Sequence, residues 1–396
     1  MGPLTGEIIL STQLDQHLAE AVASGAVAGV VDLAADAKGV IYSGAFGQRG
    51  PSDSAPMTQD SVFRIASMTK AITAAAAMKL VEEGRIALDQ PMKEIAPEIG
   101  QAQVLTGFDG SGKPQTRAPQ RDVTLRHLLS HTSGYSYDLF NTQVANYMQY
   151  HQLPSITTCK FDALKAPLVF DPGERWEYGI GIDWAGRIVE IVSGLKLAAY
   201  LDQHFLAPLA MHDTRFVLRP DMQARLVQAA ARTPDGGLAP TDFEFPSDGD
   251  FHMGGGGLYS TGQDYLRFTR MILGGGSLDG TRILQPATVA LMGQNAIGDI
   301  AVPPFVSDNP ALALSADIFP GQIARWGLSF VINTEDIPGC RAANSLAWAG
   351  VHNTFFWIDP TRQLTAVLMM QLLPANDPQV LSTLIGYEQA LYASRP

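Results

Sequence analysis

The strongest constraint on the fold is a small-residue apolar run at residues 71–78, which directly follows a serine and a lysine. Ser67 and Lys70 are three residues apart, so on a helix their side chains share one face and can touch. The alanine content of the run predicts a helix that packs closely on several sides and stops near Gly84. A lysine at the head of such a buried helix is costly unless it is paired or used in chemistry.

Similar patterns of helix and strand occur near both ends of the chain. Between about residues 85 and 250 the pattern is mostly helical, with long connectors such as 107–114 and 232–237. The predicted elements of the two ends are a helix at 11–24, strands at 27–34, 40–46, 326–333, 354–358 and 364–372, and a last helix that Asp377 caps and Pro378 begins.

These patterns predict an α/β (α+β) fold in which an antiparallel sheet, flanked by helices, is formed from both chain termini. A mainly helical domain is inserted between them. The predicted sheet domain is discontinuous and comprises residues 1–62 and 255–396. The predicted helical domain comprises residues 63–254, and the active site is expected at the interface of the two.

Composition restricts the classes of partner. The 396 residues carry a net charge of -12 without acidic blocks or basic patches, which disfavours nucleic acid and anionic membranes as partners. No stretch reaches the roughly 20 apolar residues that span a bilayer, and the first residues lack the pattern of an export signal. We therefore expect a cytoplasmic protein without a membrane anchor. Cys159 and Cys340 belong to no C-x-x-C pair, which favours two structural thiols.

An S-x-x-K pattern alone is weak evidence, because a chain of this length contains about one by chance. Further motifs follow it in a characteristic order, and together they resemble the serine β-lactamase and penicillin-binding-protein superfamily over nearly the whole chain. The resemblance is closest to the class C β-lactamase-like esterases, often called family VIII carboxylesterases. The motifs are Ser67-x-x-Lys70, the segment L-R-H-L-L-S-H-T-S-G at 125–134, Tyr178, the four glycines at 254–257, and Trp348-Ala349-Gly350.

The resemblance implies acyl transfer through a covalent serine ester, without a metal or an organic cofactor. Ser67 would be the nucleophile and Lys70 its base or proton relay. Tyr178 would be the second proton-transfer group, and the sequence does not decide which of the two is the formal base. The oxyanion hole would consist of the backbone N–H groups of Ser67 and Val351.

Two departures from the β-lactamase pattern indicate the substrate. Ile180 replaces an asparagine that hydrogen-bonds a substrate amide, and Trp348 replaces the cation of a K-T-G motif. Both changes predict a carboxylesterase that acts on small, short-acyl esters and opens β-lactams weakly at most. The predicted substrate pocket comprises Trp348, Ala349, Gly350, His352, Phe140 and Phe251.

Three alternatives remain open. A β-lactamase or D,D-peptidase could use the same Ser67, Lys70 and Tyr178, and so could an acyltransferase in which an alcohol replaces water. A member of the superfamily that binds an ester or a peptide without turning it over is the non-enzymatic alternative. A zinc site at His127 and His131 is disfavoured, because H-E-x-x-H is missing and no carboxylate neighbours them. The natural ester and the oligomeric state stay undetermined.

Overall fold

A computed structural model describes residues 5–242, 244–246 and 249–393, with side chains from residue 12 onward. Helices lie near both ends of the chain and dominate its middle. The α-helices are α1 (Thr5–Ala23), α2 (Thr69–Glu82), α3 (Leu125–Leu129), α4 (Thr142–Tyr150), α5 (Gly181–Ser193), α6 (Leu197–Leu201), α7 (Pro220–Gln223), α8 (Gly262–Leu273), α9 (Pro286–Gly293) and α10 (Pro378–Ala393). Short 3₁₀ segments include Ala66–Met68, Met92–Glu94, Pro97–Gln101, Ile156–Thr158 and Phe161–Lys165, and Asp202–Leu206 is a π-helical turn.

Strands from the two ends of the chain meet in one sheet. In chain order the strands are β1 (Gly29–Asp36), β2 (Val40–Gly47), β3 (Phe63–Arg64), β4 (Val104–Phe108), β5 (Pro114–Arg117), β6 (Ala230–Arg232), β7 (Leu238–Pro240), β8 (Tyr259–Ser260), β9 (Ser277–Leu278), β10 (Thr281–Arg282), β11 (Ala324–Trp326), β12 (Val331–Asn333), β13 (Leu346–Gly350), β14 (Thr354–Asp359), β15 (Leu364–Met369) and β16 (Leu372–Leu373). The large sheet has seven strands in the order β11-β12-β13-β14-β15-β1-β2.

The pairing of β15 with β1 joins the C-terminal part of the sheet to the N-terminal hairpin. It is antiparallel, with Val31 opposite Met369 and Asp36 opposite Leu364. The predicted fold class is therefore confirmed, including the origin of the sheet in both ends of the chain. The residue limits of the two domains stay a prediction.

Side chains of the central strands alternate between two cores, as the period of a strand requires. Val31 and Val367 lie on the face that packs with the buried side chains of α2 and α8. Val30 and Leu368 lie on the other face, which α1 and α10 cover. Asp377 caps α10 and Pro378 begins it, as predicted, because Asp377 Oδ1 accepts the backbone N–H groups of Gln379 and Val380.

Three local features differ in detail from the predictions. Ser67 lies in a 3₁₀ turn immediately before α2, not inside the helix. The connector at 107–114 is the end of a hairpin between β4 and β5, which Asp109 stabilises by accepting the backbone N–H of Ser111 at 2.8 Å. The strand expected at 326–333 is two short strands, since Ser329 adopts a φ of 78° in the turn between them.

The described helices contain none that combines the length and the apolar character needed to cross a membrane.

Candidate active site

The backbone around Ser67 is held in an uncommon conformation. Ala66 has a φ of 44°, a region that residues other than glycine adopt only a few per cent of the time. Strand β13 approaches this turn closely, since a Cβ on Gly350 would lie 2.5 Å from the carbonyl oxygen of Ile65. The half-buried side chain of Ser67 is thus presented by a turn that surrounding backbone fixes in place.

Lys70 extends from the first turn of α2 towards this serine. Its side chain is fully buried, and Nζ donates to Ser67 Oγ at 3.0 Å and to the carbonyl oxygen of Gly255 at 2.6 Å. On the same helix, Thr73 Oγ1 donates to the carbonyl oxygen of Gly254 at 2.8 Å. The glycine segment 254–257 therefore packs against the polar face of α2, because its carbonyl oxygens accept hydrogen bonds from Lys70 and Thr73.

Tyr178 lies beside Lys70 and is contacted by Trp348. The Lys70 Nζ is 4.7 Å from the centroid of the Tyr178 ring. The indole Nε1 of Trp348 donates to the Tyr178 hydroxyl at 3.3 Å. The structure thus brings together the three predicted catalytic side chains and Trp348. The tryptophan supplies a polar donor at the position of the missing cation, in addition to an aromatic wall.

His131 holds the segment that carries Tyr178. Its carbonyl oxygen accepts the N–H of Glu177 at 2.8 Å, and its Nδ1 accepts the N–H of Gly179 at 3.4 Å. A Cβ on Gly179 would lie 2.2 Å from the carbonyl oxygen of Tyr135, so only glycine fits there. Burial and the charge of Lys70 lower the pKa of His131 well below its usual value, which leaves its ring neutral and able to accept.

His127 belongs to a different local structure from His131. It occupies the third position of α3, where its Nδ1 accepts the N–H of the capping residue Thr124 at 3.2 Å. Across the described ranges, no group of three or more His, Cys, Asp or Glu side chains is arranged to hold a metal ion.

The predicted oxyanion hole lies where β13 ends. Val351 follows Gly350, and Gly350 packs against the residue before the Ser67 turn. The carbonyl oxygen of Gly350 accepts the N–H of Asn353 at 2.9 Å, which closes the turn after the strand. This places Val351 next to the nucleophile's turn, and its participation with Ser67 in an oxyanion hole stays a prediction.

The other predicted pocket residues lie at different depths. Ala349 is half-buried in β13, and Phe140 reaches the site through Tyr137, whose ring centroid is 6.0 Å from that of Phe140 and 5.2 Å from Lys70 Nζ. Phe251 is buried and stacks on Phe161 at 5.8 Å between ring centroids. Contact of Ala349, Phe140 and Phe251 with a substrate therefore stays a prediction.

His352 differs from these residues because it is fully buried, in the turn that follows β13. Burial and the charge of Arg64 lower the pKa of His352 to about 3, so its ring is neutral. A ring without exposed surface cannot line an open pocket, and the structure therefore gives no support to that part of the prediction.

Sequence analysis missed Asp183, which lies behind Lys70. Its fully buried carboxylate accepts the N–H of Gly255 at 2.8 Å and the hydroxyl of Tyr137 at 3.4 Å. Burial raises the pKa of Asp183 to about 6, and the charge of Lys70 is the largest of the opposing influences. An acidic residue inside the apolar segment Gly181–Ala185 was the signal that could have identified it.

The architecture is that of the β-lactamase and transpeptidase class of enzymes, with a mixed α/β fold around a large antiparallel sheet. A family model described as Beta-lactamase matches residues 14–387. The chain belongs to that family, which confirms the superfamily that the motifs indicated.

Similar proteins include enzymes of acyl transfer and of ester hydrolysis. The chain is 34% identical to the monacolin J acid methylbutanoyltransferase of Aspergillus terreus, over 94% of each chain. It is 32% identical to the lovastatin esterase of Penicillium rubens, over 94% of this chain and 95% of the relative. A solved structure of the simvastatin synthase LovD from Aspergillus terreus, its LovD9 mutant, superposes with a TM-score of 0.83 at 32% identity, covering 97% of this chain and 98% of that one.

Proposed function

We propose that this protein is a serine acyltransferase, which moves a short acyl group from a donor ester or thioester to an alcohol through an acyl-enzyme on Ser67. The observation that carries the transfer reaction is the similarity to an acyltransferase over 94% of both chains. The contacts among Ser67, Lys70, Tyr178 and Trp348 support the serine chemistry.

The first half-reaction forms the acyl-enzyme. Ser67 Oγ attacks the acyl carbonyl carbon, and its proton passes to the Lys70 and Tyr178 pair. Backbone N–H groups at Ser67 and Val351 stabilise the negative charge on the carbonyl oxygen of the tetrahedral intermediate. The bond to the leaving group then breaks, and the same pair returns the proton to the departing alcohol or thiol.

The second half-reaction reverses these roles. The acceptor hydroxyl attacks the Ser67 ester, its proton passes to the Lys70 and Tyr178 pair, and Ser67 leaves with a proton while the new ester forms. The N–H of Trp348 stabilises negative charge that develops on the Tyr178 oxygen in either half-reaction. Water in place of the alcohol gives hydrolysis by the same steps.

Aromatic residues around Tyr178 favour an organic acceptor. The ring centroid of Trp348 lies 5.2 Å from that of Tyr178, and the ring centroid of Trp326 lies 4.6 Å from that of Trp348. Trp176 stacks on Tyr178 at 6.2 Å. Trp326 and Trp176 are buried and support the other two rings, whereas Trp348 and Tyr178 are half-buried and present aromatic surface to the site. Such a surface binds apolar molecules and disfavours ordered water.

Hydrolysis was the first choice on the sequence alone, and the comparisons support transfer better. It remains the second candidate because one of the similar proteins is named a lovastatin esterase. The acyl group named in the transferase relative is methylbutanoyl, so a short, branched acyl donor is the first one to test. The family VIII assignment and a cytoplasmic location stay part of this proposal.

The test measures how the acyl group partitions between water and an alcohol. The purified protein is given p-nitrophenyl 2-methylbutanoate with increasing concentrations of a primary alcohol, and ester and acid are quantified by mass spectrometry. We expect ester to form at the expense of acid. Ser67→Ala should abolish both products, whereas Ser61→Ala, which changes another buried serine, should abolish neither.

Two outcomes would contradict the proposal. Acid alone at every alcohol concentration would make the protein an esterase. Full activity of Ser67→Ala would remove the serine mechanism altogether. A chromogenic cephalosporin in the same assay tests the β-lactamase alternative, which wins if the cephalosporin turns over faster than the ester.

A further inference from the structure

Asp183 is a fully buried carboxyl group that none of the steps above uses. It lies in the first turn of α5, where the helix dipole favours a negative charge. Its Oδ1 accepts the Gly255 N–H at 2.8 Å, and its Oδ2 accepts the Tyr137 hydroxyl at 3.4 Å. These donors form an environment suited to an ionised carboxylate.

Gly255 connects this carboxylate to Lys70. The residue gives its N–H to Asp183, while its carbonyl oxygen accepts from Lys70 Nζ at 2.6 Å. The oppositely charged side chains of Asp183 and Lys70 therefore lie on either side of Gly255, which is hydrogen-bonded to both. Lys70 Nζ also donates to Ser67 Oγ at 3.0 Å, so a change in the position of Gly255 would change the contact between lysine and nucleophile.

The packing at Gly255 is too tight for any side chain. A Cβ there would lie 2.5 Å from Asp183 Oδ2 and 2.8 Å from the Tyr137 hydroxyl. Gly254, the preceding residue, is fixed separately by the hydroxyl of Thr73. Because Gly255 has no side chain, the Asp183 carboxylate can approach the backbone segment whose carbonyl oxygen accepts the hydrogen bond from Lys70.

We propose that Asp183 is a positioning residue that balances the charge of Lys70 and, through Gly255, fixes the direction in which Lys70 faces Ser67. The inference rests on the proposed serine acyl-transfer function and adds a residue to its machinery. Asp183 does not contact the reacting atoms itself.

The ionisable groups that face Asp183 are Lys70 from α2, Tyr137 from the connection between α3 and α4, and Cys159 from the turn after a 3₁₀ helix. Burial and the charge of Asp183 raise the pKa of Tyr137 well above its usual value, so its hydroxyl stays a donor. Removal of the negative charge makes every nearby group release its proton more readily. The acidic limb of the pH–activity profile, which reports the base of the site, should then move to lower pH.

The test compares Asp183→Asn with a matched control, Asp264→Asn. Asp264 is also a buried carboxyl in the first turn of a helix, its pKa is also raised to about 6 by burial, and it accepts the backbone N–H of Asp213 at 2.7 Å. Both variants keep the shape of the side chain and remove its charge. Only Asp183 lies beside Lys70.

In the activity assay, the pH dependence of kcat/KM separates charge from shape. We expect the acidic limb of Asp183→Asn to move down by about one pH unit and its plateau kcat to fall about tenfold. KM should stay within about twofold, because the residue does not contact substrate. Asp264→Asn should have the wild-type profile, and the same profile for Asp183→Asn would overturn the inference.

A titration by NMR tests the charge balance without turnover, even if Asp183→Asn fails to fold or the proposed function is wrong. With ¹³C-labelled aspartate, the pKa of Asp183 in Lys70→Met should rise above its wild-type value, since the cation that opposes the effect of burial is gone. The pKa of Asp264 in the same sample should not change. An unchanged pKa of Asp183 would show that Asp183 and Lys70 are not coupled and would overturn the inference.

Discussion

Asp183 and Asp32 are both fully buried carboxyl groups, but their surroundings on the two sides of the large sheet differ. Asp183 has a backbone N–H as a donor and Lys70 as a nearby cation, and its pKa is raised only to about 6. Asp32 lies in β1 on the face covered by α1 and α10. Burial raises the pKa of Asp32 well above its usual range, the Tyr387 hydroxyl opposes this effect, and the charge of Asp15 adds to it.

The difference shows that burial alone does not mark a functional carboxyl group. Desolvation without a cation keeps Asp32 protonated, which makes it a neutral polar group of the core. The same desolvation beside Lys70 leaves Asp183 ionised near neutral pH, where its charge acts on the groups of the site. The partner thus decides whether a buried carboxyl group contributes charge.

The largest effect should come from removing the cation. We expect Lys70→Met to reduce kcat/KM by about a thousandfold or more and to lower the free energy of unfolding by about 3 kcal/mol, because Asp183 then lacks its counter-charge. Lys79→Met, on the same helix but paired with Glu83 near the surface, is the control and should keep its activity. Enzyme kinetics and urea unfolding measure both quantities. A Lys70→Met protein that keeps a tenth of the wild-type activity would contradict the catalytic role of this cation.

A smaller effect is expected at the Trp348 indole. Trp348→Phe keeps the aromatic wall and removes the donor to the Tyr178 hydroxyl, so kcat should fall about tenfold, the value of one hydrogen bond. Trp357→Phe changes a buried tryptophan on the other face of the sheet and serves as the control. Equal activity of both variants would mean that Trp348 acts only as a wall.

The smallest effect concerns Asp32 and stability. The pKa of Asp32 is higher in the folded protein than in the unfolded chain, so the unfolded chain loses this proton first as pH rises. The free energy of unfolding therefore falls as pH rises from the unfolded-state pKa of about 4 towards the folded-state pKa. Asp32→Asn should remove this slope and be more stable than the wild type by about 1 kcal/mol or more at pH 8. At pH 3 the two proteins should be nearly equal. Urea unfolding at both pH values checks this, and a parallel pH dependence of the two proteins would show that Asp32 is ionised in the folded state.

The sequence was informative wherever a periodic pattern or a spacing determines geometry. The strand-like segments near both ends of the chain predicted strands of the sheet, and Asp377 predicted the start of α10. The spacing of three residues predicted the contact of Ser67 with Lys70, although Ser67 precedes the helix. These features depend on neighbours in the chain.

Other features depend on residues far apart in sequence, and the sequence alone could not reveal them. The indole of Trp348 meets Tyr178 across 170 residues, so the polar use of this tryptophan was not visible. Asp183 and Gly255 are 72 residues apart. The contact of Asp183 with Gly255 was therefore hidden, but the residue itself was not. Lys70 was singled out as a charge within an apolar helix, and the same reasoning would have identified Asp183.

The most direct test of the central claim is the detection of the acyl-enzyme and of its discharge by an alcohol. The protein is mixed rapidly with p-nitrophenyl 2-methylbutanoate, quenched in acid, and mapped by mass spectrometry with and without an alcohol chase. The account predicts the acyl group on Ser67 and its faster loss in alcohol, with formation of the matching ester. An acyl group on another residue, or a loss that is independent of alcohol and yields only acid, would contradict it.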